Sequence, residues 1–526
     1  MIRLPDLVRK YAFHTPDKMA TYFEGRAHSW AQFSARMHGA AKALQDLGVG
    51  PGDRVAFLGM NSHWLVEMYL VPSMIGALCV PINYRLSEDE MAETIDDCTP
   101  QILIVDRHFQ EQAAALMERC PSLETLIFAD WDAPAPVLPP DTLNYDDLIA
   151  QAGNVAADAF DDLASASDDT MILFYTSGTT GQPKGVMLSH SNMQANATGT
   201  GPLYKYRSDD VLLLSGPMFH LGTGSRVFTS IVYGTTKIIQ AKFEVEETMR
   251  LIQDQKVTTM TMVPTMLRMI LDHPTFPTFD FSSLRCLTYG AAPMPIGVIS
   301  QCLEQIPDVT FCQGYGMTEA APNLCVLRPE DHEPIDGVIP KLASVGRPIH
   351  TTDLRIVDEN DKPVKQGETG ELTVRGPQIM NGYWNKPEET GEAMRGGFYH
   401  TGDAGYEDED GYIYLVGRTK EMIITGGENV YPIETENCLS KHPDVASAAV
   451  LGLPHDKWGE MVVAVVALHD GARVTGDDLI AYCRGKIAGY KVPKSIRIWD
   501  GPLPLSHTNK IDKQKIRAKI SETTDE

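Results

Sequence analysis

The chain has 526 residues, 43% hydrophobic and 22% charged, which is too long for one core at ~100–200 residues per domain and has the ordinary mix of a globular protein. A formal net charge of −25 excludes the basic footprint of a nucleic-acid-binding protein, so no nucleic-acid partner is expected. Nine cysteines lie scattered without a Cys-x-x-Cys pair, which argues against a zinc site or a disulfide framework and for a reducing, cytoplasmic setting.

The start, MIRLPDLVRKYAFHTPDK, carries no apolar run of signal-peptide length, and no stretch reaches the ~18 apolar residues of a membrane span. Arg54–Leu58 reads as a strand, Ser62 as the cap of a helix closed by Gly76, and Leu78–Ile82 as the next strand. Short apolar runs recur at ILIVD (102), LIFAD (126), MILFY (171), VLLLS (211), TMTMVP (259) and LRCLTYG (284), with helical segments between several of them. This is the pattern of an α/β protein, helices layered on mostly parallel sheets. Four prolines mark 131–140 as a surface connection. After Ser344 alternating apolar residues and turn pairs predict a small β-rich subdomain. The last hundred or so residues, with VASAAVLGL, MVVAVVAL, a helix near 477–487 and SIRIWD, predict a small α+β lid. The predicted boundaries are 1–417 and 418–526.

The segment YTSGTTGQPKGV (175–186) concentrates three glycines, four hydroxyl side chains and one lysine. Its spacing, Gly178-x-x-Gly181-x-x-Lys184 with Gly185 after the lysine, fails the Walker pattern, and VMLSH beyond it reads as a second strand rather than a helix. The physics of phosphate binding remains. Glycines let backbone N–H groups approach anionic oxygens, Thr176, Ser177, Thr179 and Thr180 add hydroxyl donors, and Lys184 adds a charge.

This segment resembles the phosphate loop of the adenylate-forming superfamily, which comprises acyl-CoA synthetases, adenylation domains and beetle luciferases. Further signatures follow in order: YGAAPMP (289–295), QGYGMTE (313–319), YHTGD (399–403), GYIYLVGRTKEMIITGGENVYPIETE (411–436) and LPLSHTNKIDK (503–513). The resemblance covers essentially the whole chain. It implies an acid, ATP and coenzyme A as substrates, with Mg²⁺. Gly290, Ala291, Ala292, Gln313, Gly314 and Gly316 would border the nucleotide, and Tyr315 would stack on adenine. Thr318 would bond the α-phosphate, Glu319 would hold Mg²⁺, Asp403 would accept the ribose hydroxyls, and Arg418 would contact ribose and phosphate. Lys510 is the implied catalytic lysine, bridging carboxylate and α-phosphate. The residue before it is Asn509 where the family has glycine. Asn tolerates left-handed backbone, so the loop's role is expected to survive.

The resemblance also implies two half-reactions in one cleft. The acid attacks ATP to give acyl-AMP and pyrophosphate. The lid then turns about hinge Lys420, Gly426 and Gly427 admit the pantetheine arm, and the thiol gives acyl-CoA and AMP. His220 would lie beside the carboxylate, with an orienting role. The implied acyl pocket comprises His220, Gly222, Thr223, Thr288, Gly290, Gly314, Gly316, Met317 and Pro322, small residues that leave room for a medium- or long-chain fatty acid or an aryl acid. Asn323 and Arg226 would lie nearby, with Arg226 equally readable as a surface helix residue. Phe219 and His220 stand where amino-acid-adenylating domains place an Asp, and no carrier domain is expected to follow. A carrier-protein-loading acyl-AMP ligase, a luciferase-like oxygenase and a non-catalytic nucleotide sensor are the alternatives, and a homodimer is left open. From Ile480 to Glu526, ten Lys/Arg face five Asp/Glu. Lys486, Lys491 and Lys494 in that tail suit the phosphates of CoA or form a solvated basic face.

Overall fold

A computed structural model describes residues 2–131, 137–177, 183–290, 294–335, 338–426, 428–455, 457–505 and 511–522. The chain divides into two compact units, Met1–Asp353 with Val374–Tyr399, and Leu354–Thr373 with His400–Glu526.

The first unit holds two sheets. Among the described residues one has nine strands, in the order Arg347–Pro348, Asn323–Leu327, Thr310–Gly316, Cys286–Gly290, Thr259–Met262, Val211–Leu214, Thr236–Ile239, Met19–Phe23 and Arg26–Ser29. Its six inner strands are parallel, and antiparallel strands flank them at both sides. The other sheet runs Gly382–Tyr383, Pro183–Ser189, Thr170–Ser177, Leu78–Pro81, Arg54–Leu58, Ile102–Val105, Thr125–Phe128 and Leu143–Asn144. Leu78–Pro81 and Ile102–Val105 are buried at every position, the signature of parallel strands covered on both faces. Val80, Leu103 and Val105 anchor one core, and Ile238, Met260, Leu287 and Phe311 the other.

Local chemistry sets the helix starts. Ser29 and Ser189 form reciprocal capping boxes with Gln32 and Asn192, and Ser62 Oγ accepts from Leu65 N at 3.2 Å. The single helix expected after Ser62 is two, His63–Met68 and Val71–Met74. Pro72 explains the break, because a residue without an N–H fits only the first turn of a helix.

The second unit contains a four-stranded sheet, Asp353–Val357, Gly370–Arg375, Tyr399–Glu407 and Ile413–Arg418. Helix Pro432–Leu439 packs on the last of these strands, so the β-rich segment expected to belong with 1–417 groups by packing with the C-terminal part. A second sheet pairs Glu428–Val430, Ile423–Thr425, Gly459–Leu468 and Val445–His455, with Ser495–Ile498 parallel to Gly459–Leu468. Val450, Val462, Ala464, Val466 and Leu479 fill its core. The helix expected over 477–487 is Gly476–Cys483, capped by Thr475. Among the described residues no helix is long and apolar enough to cross a membrane.

Candidate active site

Two of the sequence signatures end on neighbouring parallel strands. Tyr289 stands opposite Gln313 and Gly290 opposite Gly314, so both runs emerge at the same C-terminal edge. That edge is where open α/β sheets bind ligands. The glycines there are required by close approach. A Cβ on Gly290 would sit 2.5 Å from the Gly314 carbonyl oxygen, and one on Gly316 would overlap the Pro322 carbonyl. Tyr289 anchors the edge from below, its hydroxyl 2.8 Å from His332 Nε2, while His332 Nδ1 donates to the Arg328 carbonyl. Burial holds His332 below its usual range, which keeps the imidazole neutral and Nε2 free to accept. Gln313 is buried, and its Oε1 has no hydrogen-bond partner among the described residues.

The phosphate-loop stems form a hairpin. Thr176 pairs with Lys184 and Ser177 with Pro183 in antiparallel register, so the exit is a strand, as expected. Gly178, Thr179, Thr180 and Gly181 lie outside the described residues, as do Ala291, Ala292, Gly427, Asn509 and Lys510. Lys184 pairs with the Glu389 carboxylate and lies 5.1 Å from the centroid of the Tyr383 ring. The Tyr383 hydroxyl donates to Glu319 Oε1 at 3.0 Å, and Met380 N donates to the Glu319 carbonyl at 2.9 Å. Burial, aided by the Glu319 carboxylate, pushes the Tyr383 phenol well up, so it stays a donor. Lys184 and Glu319, 135 positions apart in sequence, thus meet through Tyr383. No local signal in NGYWNKPEET marks Tyr383 or Glu389 as site residues; the antiparallel pairing of Tyr383 with Val186 brings them there.

His220 is the N-cap of helix Leu221–Tyr233, its Nδ1 accepting from Gly222 N at 3.1 Å. It is exposed, while Thr223 one turn on is buried. Tyr204 links this helix to the strand edge. Its ring lies 5.0 Å below the Arg226 guanidinium, and its hydroxyl is 2.7 Å from where a Gly314 Cβ would stand. Asn323 Oδ1 would stand 2.6 Å from the same Cβ, and Thr288 meets Thr261 at 2.6 Å through their hydroxyls. Arg226 is buried and is not the surface residue of the bland sequence reading.

In the second unit Asp403 and Arg418 face each other across paired strands, with Nε to Oδ1 at 2.7 Å. The Thr401 hydroxyl fixes the Asp403 backbone, accepting from Asp403 N at 3.0 Å and donating to Leu372 O at 2.7 Å. Lys420 lies exposed on the single 3-10 turn Thr419–Glu421, and Gly426 takes a left-handed φ of 62°. In the tail, Lys491 is tied to Glu434 at 2.8 Å. Lys486 instead lies on the Tyr482 ring and Lys494 at 5.6 Å from the Trp458 ring.

Among the described residues no group of three His, Cys, Asp or Glu could cage a metal. A hard oxygen set of one carboxylate, Glu319, beside the Thr318 hydroxyl fits Mg²⁺, which keeps waters and takes phosphate oxygens for the rest.

The edge and the hairpin define a nucleotide-handling α/β enzyme. The AMP-binding enzyme profile matches residues 8–384 and the AMP-binding enzyme C-terminal domain matches 434–510, so the chain belongs to the AMP-binding enzyme family. It is 38% identical over 511 residues to a feruloyl-CoA synthase of Amycolatopsis sp, covering 96% of each chain. Its fold is similar to the amide bond synthetase McbA from Marinactinospora thermotolerans, with TM-score 0.86, 27% identity, and 98% and 99% of the two chains covered. It is also similar to the o-succinylbenzoate CoA synthetase of Bacillus subtilis in complex with its acyl-adenylate, with TM-score 0.82, 29% identity and 98% of each chain covered.

Proposed function

We propose that this enzyme activates an aryl-substituted carboxylic acid with ATP and transfers it to coenzyme A. The activity is ATP-dependent acyl-CoA ligation, an acid–thiol ligase reaction that releases pyrophosphate and then AMP. The observation that carries it is the convergence of Lys184, Tyr383 and Glu319, with a strand edge whose close backbone contacts require glycine at Gly290 and Gly316. Forming acyl-AMP brings an anionic carboxylate to an anionic phosphate, so positive charge must be supplied. Mg²⁺ held by Glu319 supplies part of it when bound. Tyr383 keeps the Glu319 carboxylate oriented, and Lys184 and the hydroxyl of Thr176 serve the outer phosphates. Thr318 serves the α-phosphate, Gln313 and Tyr315 the base, and Asp403 and Arg418 the ribose. Lys510 serves the first half-reaction, with Lys420 as hinge and Gly426 and Gly427 at the thiol's path. The domain boundary relevant to that motion follows Gly417.

The acid is aryl rather than fatty. The similar enzymes act on feruloyl and succinylbenzoate groups, both ring-bearing. Lys486 and Lys494, the tail lysines without an ion pair among the described residues, serve the phosphates of CoA. All nine cysteines are free and buried, which suits a cytoplasmic enzyme. Transfer to an amine is the second reading, favoured by the similarity in shape to the amide bond synthetase.

The test is a panel of carboxylic acids scored for AMP release. Release that needs both an aryl acid and CoA is expected. Acyl-AMP formation indifferent to CoA would favour a carrier-loading ligase, amide formation with a supplied amine the second reading, and light or oxygen uptake an oxygenase. Lys510→Ala should lower adenylation, read by pyrophosphate exchange, by about 100-fold or more, and leave thioester formation from supplied acyl-AMP within a few-fold. Equal loss of both steps would remove Lys510 from the first step alone.

A further inference from the structure

Helix Leu221–Tyr233 carries a buried cation at Arg226 with no carboxylate partner among the described residues. Among the described residues three polar atoms of this cluster lack hydrogen-bond partners, the Arg226 Nε and the hydroxyls of Tyr204 and Tyr206. Arginine keeps its charge inside a protein, and an unpaired ion is among the costliest things a protein can bury. Buried polar groups left together without partners call for a missing one. Asp210, just before strand Val211–Leu214, is already bound by Arg285 at 2.6 and 2.8 Å. Tyr204 joins the cluster to the strand edge: its hydroxyl lies 2.7 Å from where a Gly314 Cβ would stand, close to Asn323 Oδ1 at 2.6 Å from the same point.

Position along the helix gives a length. Thr223 and Arg226 share one face at i, i+3, and Arg226 lies six residues from the His220 cap. At 1.5 Å per residue the Arg226 Cα is about 9 Å along the axis from the His220 cap. That is about the length of an acid with a benzene ring in its chain.

We propose that Arg226 is a specificity-determining residue that receives a second carboxylate at the far end of the acid, with the Tyr204 and Tyr206 hydroxyls as further donors. This rests on the reading that His220 marks the reacting end. The substrate class is then an aryl dicarboxylic acid, one carboxylate activated and the other held. A neutral ring substituent would bond the hydroxyls and leave the guanidinium charge unanswered.

Binding rather than turnover decides it. Isothermal titration with 4-carboxycinnamate and with cinnamate compares two acids that differ only in the distal carboxylate. Wild type should bind the first about 100-fold more tightly, and Arg226→Met should lose that ratio while keeping its cinnamate affinity. Tyr204→Phe should lower the ratio about 10-fold, an effect read independently of the Arg226 variant. Free of ligand, Arg226→Met should unfold at the same or a higher temperature than wild type, because it removes an uncompensated charge. Wild type indifferent to the distal carboxylate, an unchanged ratio in Tyr204→Phe, or an Arg226→Met protein that unfolds well below wild type would overturn the assignment. If no aryl acid supports CoA-dependent AMP release, the ligase reading falls, and these affinities still decide the role of Arg226.

Discussion

The two compact units differ in the cations they bury. In the first, Arg226 and Lys237 are buried without a carboxylate partner among the described residues, and the working edge is shaped by backbone against backbone at Gly290, Gly314 and Gly316. In the second, cations near the motifs are paired near water: Arg418 with Asp403, Lys491 with Glu434, and Lys513 with Glu421 and Glu436. A packed sheet can hold an unpaired charge or a tight backbone contact because the whole core would have to move to relieve it. A half-exposed ion pair holds its partners only weakly and yields to a ligand. The first unit is therefore built to keep its geometry, and the second to exchange partners.

Substitution at the edge should show the largest effect. In Gly316→Ala the new methyl meets the Pro322 carbonyl, which is backbone and has no rotamer to yield. The expected cost is about 3 kcal/mol of stability with near-complete loss of adenylation, read by denaturant melts and pyrophosphate exchange. A variant that keeps both would show that the edge adjusts, and the contrast between the units would fail.

Lys237 tests the other half of the contrast. It lies on the ring of Trp30 at 4.4 Å, its Nζ has no hydrogen-bond partner among the described residues, and burial, with Lys18 nearby, pulls it down to about 7. In the unfolded chain it holds its proton to about 10.4. Between these values unfolding takes up a proton, so stability rises with pH across the window and is lowest at pH 7 and below. The gain expected from pH 7 to 9 is about 2–3 kcal/mol. Lys237→Met should remove that slope and match or exceed the wild type at pH 7. Parallel pH dependences of wild type and variant in denaturant melts would mean that the lysine is solvated or paired.

The parallel sheets and the strand edge were legible in the sequence, because runs such as ILIVD and LRCLTYG are continuous and their periodicity is local. Lys184, Glu319, Asp403 and Arg418 lie inside short motifs, so the sequence can name them as candidates. The break at Pro72 is masked in the sequence by the apolar spacing, which continues through it. Tyr383, Glu389 and Tyr204 were not legible. They reach the site through strand pairing and helix packing far along the chain, and no local pattern distinguishes them from core aromatics or surface acids. The grouping of the β-rich segment with the C-terminal part was hidden for the same reason, since it is decided by what packs on Ile413–Arg418.

In the second unit, Asp403→Asn keeps the shape and removes the charge facing Arg418. Two charge-assisted bonds to a ribose would become neutral ones, so the KM for ATP should rise about 10-fold. Stability should change by less than about 1 kcal/mol, because Arg418 is half-exposed and water can replace its partner. A fall of several kcal/mol in a melt would make this pair structural, and the second unit would then be as rigid in its charges as the first.

The smallest effect is expected where the first unit behaves like the second. Lys184 is bound by Glu389, whose side chain is 42% exposed, so this pair is a weak hold on a charge that phosphates must claim. Glu389→Gln should free Lys184 and lower the KM for ATP about two- to five-fold at low salt, with less difference at high salt as screening weakens the pair in the wild type. The kcat should stay close to wild type, because Tyr383 continues to hold Glu319. A rise in KM instead would mean that Glu389 steers the lysine toward the nucleotide rather than holding it back. The exchangeable pairs would then be guides in the first unit and holds only in the second.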